Sequence, residues 1–313
     1  GNDEESLLYF KRALKVFKDN DINDSPELAD CYHELGVLYK KLGRYNESVK
    51  NLLEDLKISE KALPESGEDV ARSYLALCEA YFGLKDYDKA LKYAKKSLEL
   101  GNKVFGRDSP HCVDTITRLG QIYFEKDQWE ETIEQLQKAL KLGKKVFEDN
   151  FDGYGEICHT LGAAYKAVGN LKESVKYFEE ALKHRIAIQG EESLEVGETY
   201  CELAEVYMDM EDYAKAIENR QKALKIFLKE YGENHEHVAI LYHNFGYTYS
   251  TMKQYSEAIN YFKKALDVYI NLYGDDSLDT ASAYLNLGNA MTYLGKFDEA
   301  LEYFKKVHNI RAT

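Results

Sequence analysis

The apolar positions of this chain keep a fixed rhythm. Leu35, Leu77, Leu119, Leu161, Leu203, Phe245 and Leu287 stand 42 residues apart without slippage. A small residue follows each (Gly36, Cys78, Gly120, Gly162, Ala204, Gly246, Gly288). Three positions further on stands Tyr39, Tyr81, Tyr123, Tyr165, Tyr207, Tyr249 or Met291. Within one period the spacing is helical. From about Glu236 to Met252, Val238, Tyr242, Phe245, Gly246 and Tyr249 form one apolar stripe. Met252-Lys253-Gln254-Tyr255 turns the chain, and a second helix carries Ala258, Ile259, Phe262, Ala265, Leu266 and Tyr269. It is expected to end near Gly274, because glycine accepts the left-handed conformation that follows many helices. Pro64, Gly106, Gly190, Gly232 and Gly274 share that register, with Glu148 as its charged exception. Ser25-Pro26 and Ser109-Pro110 mark helix starts, a capping serine before a proline whose missing N–H costs nothing there, and Ser193 and Ser277 share the cap register.

A fixed period of this length is the mark of a repeat array. The predicted fold is all-α: a right-handed α-solenoid of seven helix-turn-helix repeats, at about residues 26–67, 68–109, 110–151, 152–193, 194–235, 236–277 and 278–313. An orphan helix at 3–19 precedes them, since Phe10, Ala13 and Leu14 lie one period before Leu52, Asp55 and Leu56. The unbroken register makes residues 1–313 a single superhelix. The start at Gly1-Asn2 lacks Met, and Leu301, Phe304 and Ile310 have no capping helix after them. The array is therefore expected to continue in a longer protein, and its open ends permit end-to-end self-association.

Composition narrows the function. Three prolines in 313 residues leave long helices uninterrupted. With 41 basic and 55 acidic residues, the net charge of −14 argues against nucleic acid and anionic membrane surfaces. No window suits a spanning helix and no secretory signal opens the chain. The five cysteines (31, 78, 112, 158, 201) fall in five different registers without a CxxC, as expected of reduced thiols in a cytoplasmic protein.

The pattern Tyr32-Leu35-Gly36-Tyr39-Tyr45, then Ala258-Phe262-Ala265-Leu266 on a second helix, resembles the tetratricopeptide repeat. The unit of 42 residues, with junctions such as Phe105-Gly106-Arg107-Asp108-Ser109-Pro110, resembles the kinesin light chain and nephrocystin-3 type. That resemblance implies a concave groove lined by first helices, at positions two before and two, five and six after the repeat leucine. The first-turn position five before the leucine joins them. The groove residues so implied are Arg72, Glu79, Phe82, Gln121, Phe124, Glu125, Glu205, Ile240, His243, Tyr247, Asn289 and Tyr293. Across these registers eight acidic residues face four basic ones, with the carboxylates concentrated in repeats 2 to 5. Repeats 6 and 7 offer a neutral aromatic and amide surface. Aromatic residues anchor interfaces, and asparagine can bond a peptide backbone from both ends of its amide. The chain departs from the kinesin light chain pattern one position before the leucine. There Glu34, Ala76, Arg118, Thr160 and Glu202 stand where asparagine is usual, and only Asn244 and Asn286 match. Nor do His33, Val37, Lys40 and Arg72 reproduce the family's clamp for a terminal carboxylate.

The expected function is a scaffold or adaptor without enzymatic activity, gripping a partner protein or peptide segment that is basic towards repeats 2–5 and apolar towards repeats 6–7. The alternative is the sensor or regulatory arm of a larger signalling protein, such as a nucleotide-switch ATPase. No cofactor or metal is expected. His235-Glu236-His237 sits at a repeat junction as a surface cluster, and His33, His159 and His243 lie too far apart along the array to share an ion. Those three share one groove register and would make binding sensitive to pH. Gly153 and Gly155 in Asn150-Phe151-Asp152-Gly153-Tyr154-Gly155 weaken a helix start, where either a hinge or plain sequence drift is expected.

Overall fold

The computed structural model describes residues 3–62, 67–148 and 151–312, and every regular element among them is an α-helix. An initial helix α1 (Asp3–Asp19) precedes the pairs α2 (Pro26–Lys41) and α3 (Tyr45–Ala62), α4 (Gly67–Gly83) and α5 (Tyr87–Val104), and α6 (Pro110–Glu125) and α7 (Trp129–Phe147). Then come α8 (Tyr154–Ala167), α9 (Leu171–Gln189), α10 (Leu194–Asp209), α11 (Tyr213–Tyr231), α12 (Glu236–Thr251), α13 (Tyr255–Tyr273), α14 (Leu278–Tyr293) and α15 (Phe297–Ala312). This is an all-α solenoid. The helices group into two units, Gly1–Val168 and Gly169–Thr313. In the first unit each helix packs on its sequence neighbours, and the first helices of successive repeats also touch, α2 with α4, α4 with α6 and α6 with α8.

The repeated leucine is the centre of each core, with Leu35, Leu77, Leu161 and Leu287 at most 1% exposed. The small residue after it opens room for a large side chain of the second helix. A Cβ at Gly36, Gly246 or Gly288 would lie 2.5 Å from Leu52, Phe262 or Phe304, far inside van der Waals contact. Repeat 2 inverts the sizes, with Cys78 on the first helix and Ala94 on the second, both fully buried. The tyrosine position closes the turn: the amides of Arg44, Asp86, Gln128, Asp212 and Gln254 donate to the carbonyls of Tyr39, Tyr81, Tyr123, Tyr207 and Tyr249. That turn needs positive φ at 43, 85, 127, 169, 211, 253 and 295, of which only Gly43, Gly169 and Gly295 are glycine.

Ser25, Ser109, Ser193 and Ser277 accept from the amides of Leu28, Cys112, Val196 and Thr280, as their spacing predicts. Each such cap contributes about 1 kcal/mol. Gly106, Gly190, Gly232 and Gly274 adopt positive φ at the junctions. Glu148 does so too, at φ 51° and ψ −120°, so the charged residue occupies a glycine conformation. Pro64 of that register and Asn150 lie outside the described residues. Beside Gly153 and Gly155 the Phe151 ring is buried, 5.3 Å from Phe147 and seated over Gly143. The two glycines thus begin a helix that is packed at its start.

One carboxylate lies inside the first unit. Asp55 on α3 occupies the register filled by Ser97, Ala139, Ala181, Ala223, Ala265 and Val307 in the later repeats, and it is buried. Its oxygens accept from Ser59 (3.0 Å) and, on α4, Ser73 (2.7 Å), and Oδ2 lies 3.0 Å from Nδ1 of His33 on α2. Burial alone would push the His33 imidazole down, but its bond to Asp55 and the charges of Asp55, Glu34 and Asp30 prevail and hold it above the ordinary value. The four free cysteines 31, 78, 112 and 158 are buried and Cys201 is partly so. No described helix is long and apolar enough to cross a membrane.

Replacing Glu148 by glycine should stabilise the chain by about 1 kcal/mol, the left-handed penalty less glycine's greater unfolded freedom. A higher urea midpoint would be seen, and an unchanged one would refute the strain. The His33–Asp55 pair sets a pH dependence. Because the folded imidazole binds its proton more tightly than an unfolded histidine, near pH 6.5, the pair's contribution is complete below that pH. It is lost as pH rises through the folded value. The stability gap between the wild-type chain and His33→Asn should therefore shrink from about pH 6.5 upward, and a constant gap would show that the pair carries no charge.

Candidate functional site: the inner faces of the first helices

The first helices α2, α4, α6 and α8 expose one face in the first unit, and a polar ladder runs along it. The Lys40 ammonium on α2 contacts Glu79 on α4. Arg118 on α6 donates to Glu79 Oε1 (3.0 Å) and to Gln121 Oε1 (2.7 Å), and Gln121 Nε2 donates to Glu156 on α8 (2.5 Å). Burial would push the Glu79 carboxyl up, but Lys40 and Arg118 outweigh it and hold it below the usual carboxylate range.

Beside the ladder opens a pocket of about 340 Å3. Leu75, Phe147, Phe151 and Ile157 give it apolar walls, and Glu79, Asp114, Arg118, Asp152 and Glu156 give it charge. Asp114 faces the opening, and burial by the surrounding protein together with the Glu79 charge pushes its carboxyl up, against the pull of Arg118. Arg118 is already shared between Glu79 and Gln121. Asp114, Asp152 and Glu156 thus give the pocket a negative surplus.

The residues implied by the groove registers fall into distinct settings. Glu79 and Gln121 belong to the ladder. Phe82 and Phe124 are half-buried and stand edge-on to Tyr87 (5.6 Å) and Trp129 (5.2 Å), the aromatic residues that open the next helices. Glu125 accepts a 2.8 Å bond from Tyr87 of the preceding repeat, and Tyr293 stacks on Tyr255 at 4.8 Å. The register six after the leucine therefore meets the turn aromatic of the repeat before it. Arg72 is exposed, ion-paired with Glu68 and Asp69 of its own helix, and lies over the Phe105 ring.

In the second unit Ile240, Tyr247, Asn289 and Tyr293 are exposed. His243 is half-buried against Phe262, and burial pushes its imidazole down, consistent with its accepting a 3.1 Å bond from Asn286. Glu205 is bonded to Arg220 (2.6 Å) and to Asn244 (3.5 Å). The register one before the leucine, with Arg118, Asn244 and Asn286, thus belongs to the inner face. The resemblance to the kinesin light chain type points to that register as lining the groove, although none of its residues was among those expected to bind. Arg220 and Asp55 were also missed, although each breaks an otherwise apolar or small register. His235 caps α12 by accepting from the His237 amide, with its ring stacked 3.9 Å from Tyr231. Among the described residues no group of three or more His, Cys, Asp or Glu is placed to hold a metal ion.

Two tetratricopeptide repeat models match the sequence, one over residues 28–67 and the other over residues 69–145, 112–187, 195–271 and 252–313. No curated protein sequence matches it. Solved structures share the fold at low identity. BtubC (BKLC) from P. vanneervenii superposes with a TM-score of 0.60 at 22% identity, over 72% of this chain and 91% of that one. The TPR-like repeats named for a kinesin light chain of Podosopora anserina give 0.57 at 20% identity, over 65% and 97%. The signal transduction ATPase with a tetratricopeptide repeat sensor from Pyrococcus horikoshii gives 0.69 at 21% identity, over 96% of this chain but 44% of that protein. The first two are kinesin light chain-like repeat proteins. With repeat models matched along most of its length, the chain belongs to the tetratricopeptide repeat family.

Proposed function

We propose that this chain is a cytoplasmic adaptor that holds a basic segment of a partner protein against the inner faces of its first helices. The repeat fold supports a protein-interaction role. The observation that favours a basic segment is the pocket of the first unit, where Asp114, Asp152 and Glu156 surround one arginine that is already engaged. An arginine or lysine side chain suits it, with the aliphatic stem against Leu75, Phe151 and Ile157 and the charged head among the carboxylates. In the second unit, Tyr247, Ile240 and Asn289 form an exposed neutral surface suited to apolar side chains and peptide backbone.

Internal bonding redistributes the acidic character. Glu79, Glu125 and Glu205 each have a partner within the chain, so reversing their charge would disturb packing as well as any ligand. Glu156 is likewise bonded to Gln121, so Asp114 and Asp152 are the better probes. Asp114→Asn with Asp152→Asn should weaken capture of a fluorescein-labelled, arginine-rich peptide about tenfold at low salt, and the difference should fade as salt is raised. Equal affinity at every salt concentration would reject the reading. A second reading, the sensor arm of a larger signalling protein, is favoured by the fit of 96% of this chain to the P. horikoshii sensor protein. A nucleotide-binding segment encoded next to this one would support it.

A further inference from the structure

The second-helix position that packs over the small residue is filled seven times, by Leu52, Ala94, Leu136, Phe178, Arg220, Phe262 and Phe304. Six are apolar. Arg220 is the exception, and it is 1% exposed. Burying a guanidinium costs several kcal/mol of hydration, and well-packed apolar groups often replace a buried ion pair without loss of stability. The neighbouring repeats achieve the same packing with hydrocarbon. Stacking of the repeats therefore gives no account of this arginine.

Its bonds point to the inner face. One guanidinium nitrogen donates to Thr248 on α12, whose own hydroxyl donates to the Asn244 carbonyl. The other donates to Glu205 Oε1 at 2.6 Å, and Asn244 adds a 3.5 Å bond to the same oxygen. Nε of Arg220 is buried with no acceptor among the described residues, so the side chain is not arranged to satisfy all of its own donors. Glu205 lies in the inner register two after the leucine. Its side chain is 41% exposed, and Oε2 has no partner among the described residues. An exposed glutamate ordinarily samples several rotamers and loses that freedom on binding. Here Arg220 and Asn244 hold one oxygen of a side chain that stays partly open to solvent.

We propose that Arg220 is a positioning residue that holds Glu205 on the inner face of the second unit as a fixed acceptor for a cationic side chain of the bound segment. The sign of the occupant follows from the surroundings. Glu198 and Glu205 both act on the Cys201 thiol beside them, with Arg220 as the opposing charge, so these groups keep a negative surplus. This inference rests on the scaffold reading for its occupant, but the positioning of Glu205 does not depend on it.

Arg220→Met removes the charge while keeping an unbranched stem beside Ala204, and Arg220→Leu serves as a second variant should the first pack poorly. Either should melt at or above the wild-type temperature, which separates positioning from a merely structural role. Carbon-13 relaxation of the Glu205 side chain should fall from an ordered value to that of the exposed Glu198. Equal order in both proteins would overturn the proposal. The wild-type chain should prefer a fluorescein-labelled peptide of alternating arginine and leucine over its neutral citrulline counterpart. That preference should drop about tenfold in Arg220→Met and in Glu205→Gln alike. Full preference in Arg220→Met would also overturn it. A wild-type chain that binds neither peptide would overturn the scaffold reading and the occupant with it, while the relaxation result still decides whether Arg220 positions Glu205.

Discussion

Each repeat depends on one close approach, where a small residue of the first helix receives a large side chain of the second. Gly36 with Leu52, Gly246 with Phe262 and Gly288 with Phe304 set how far apart the two helices lie. Repeat 2 meets the same constraint with the sizes exchanged, as Cys78 and Ala94. What the crossing requires is therefore that at least one of the two facing residues be small. Because that fit is local to one helix pair, it buries the leucine and turns the opposite face of the first helix outward. The inner face exists because the crossing has used the other side of the helix.

The turns follow from the same geometry. The tyrosine carbonyl three positions past the small residue accepts the amide that ends the turn, which fixes a left-handed residue at the register of Gly43, Gly169 and Gly295. Lys85, Asp127, Glu211 and Lys253 hold that conformation without being glycine. Tertiary packing has overridden local preference there, at about 1–2 kcal/mol each. Aspartate tolerates that conformation at 127, but Lys85, Glu211 and Lys253 are revealed as turns only by the context of the array.

How much was legible follows from which interactions obey the period. Core leucines and junction glycines keep the register of 42 residues, serine caps recur at twice that, and all could be read directly. The inner-face bonds do not. Lys40 reaches Glu79, Glu79 meets Arg118, and Asn244 reaches Glu205 across 39 residues, three short of the period, because a side chain leans one helical turn on its way to the next repeat. Aligning registers column by column therefore separates residues that touch. The acidity of these registers was legible as a total, but its division between carboxylates bonded within the chain (Glu79, Glu125, Glu156, Glu205) and the pocket's Asp114 and Asp152 was not.

Departures from the register carry information of another kind. An array fills the same site seven times, so each repeat is a control for the others. Asp55 in a register otherwise of small or apolar residues and Arg220 in a register of hydrocarbons are charges that their neighbours do without. Both sit on second helices, whose faces are otherwise given over to packing, and both are bonded to an inner-face residue, His33 in one unit and Glu205 in the other. Burial makes each charge costly unless it is paired, so each commits its partner to one geometry and, for His33, to one protonation state over part of the pH range. The second helices thereby alter the chemistry of the inner face from below without moving its backbone. Two arrays with identical inner residues could then differ in the segments they hold, because the buried layer decides which of those residues are free to bind.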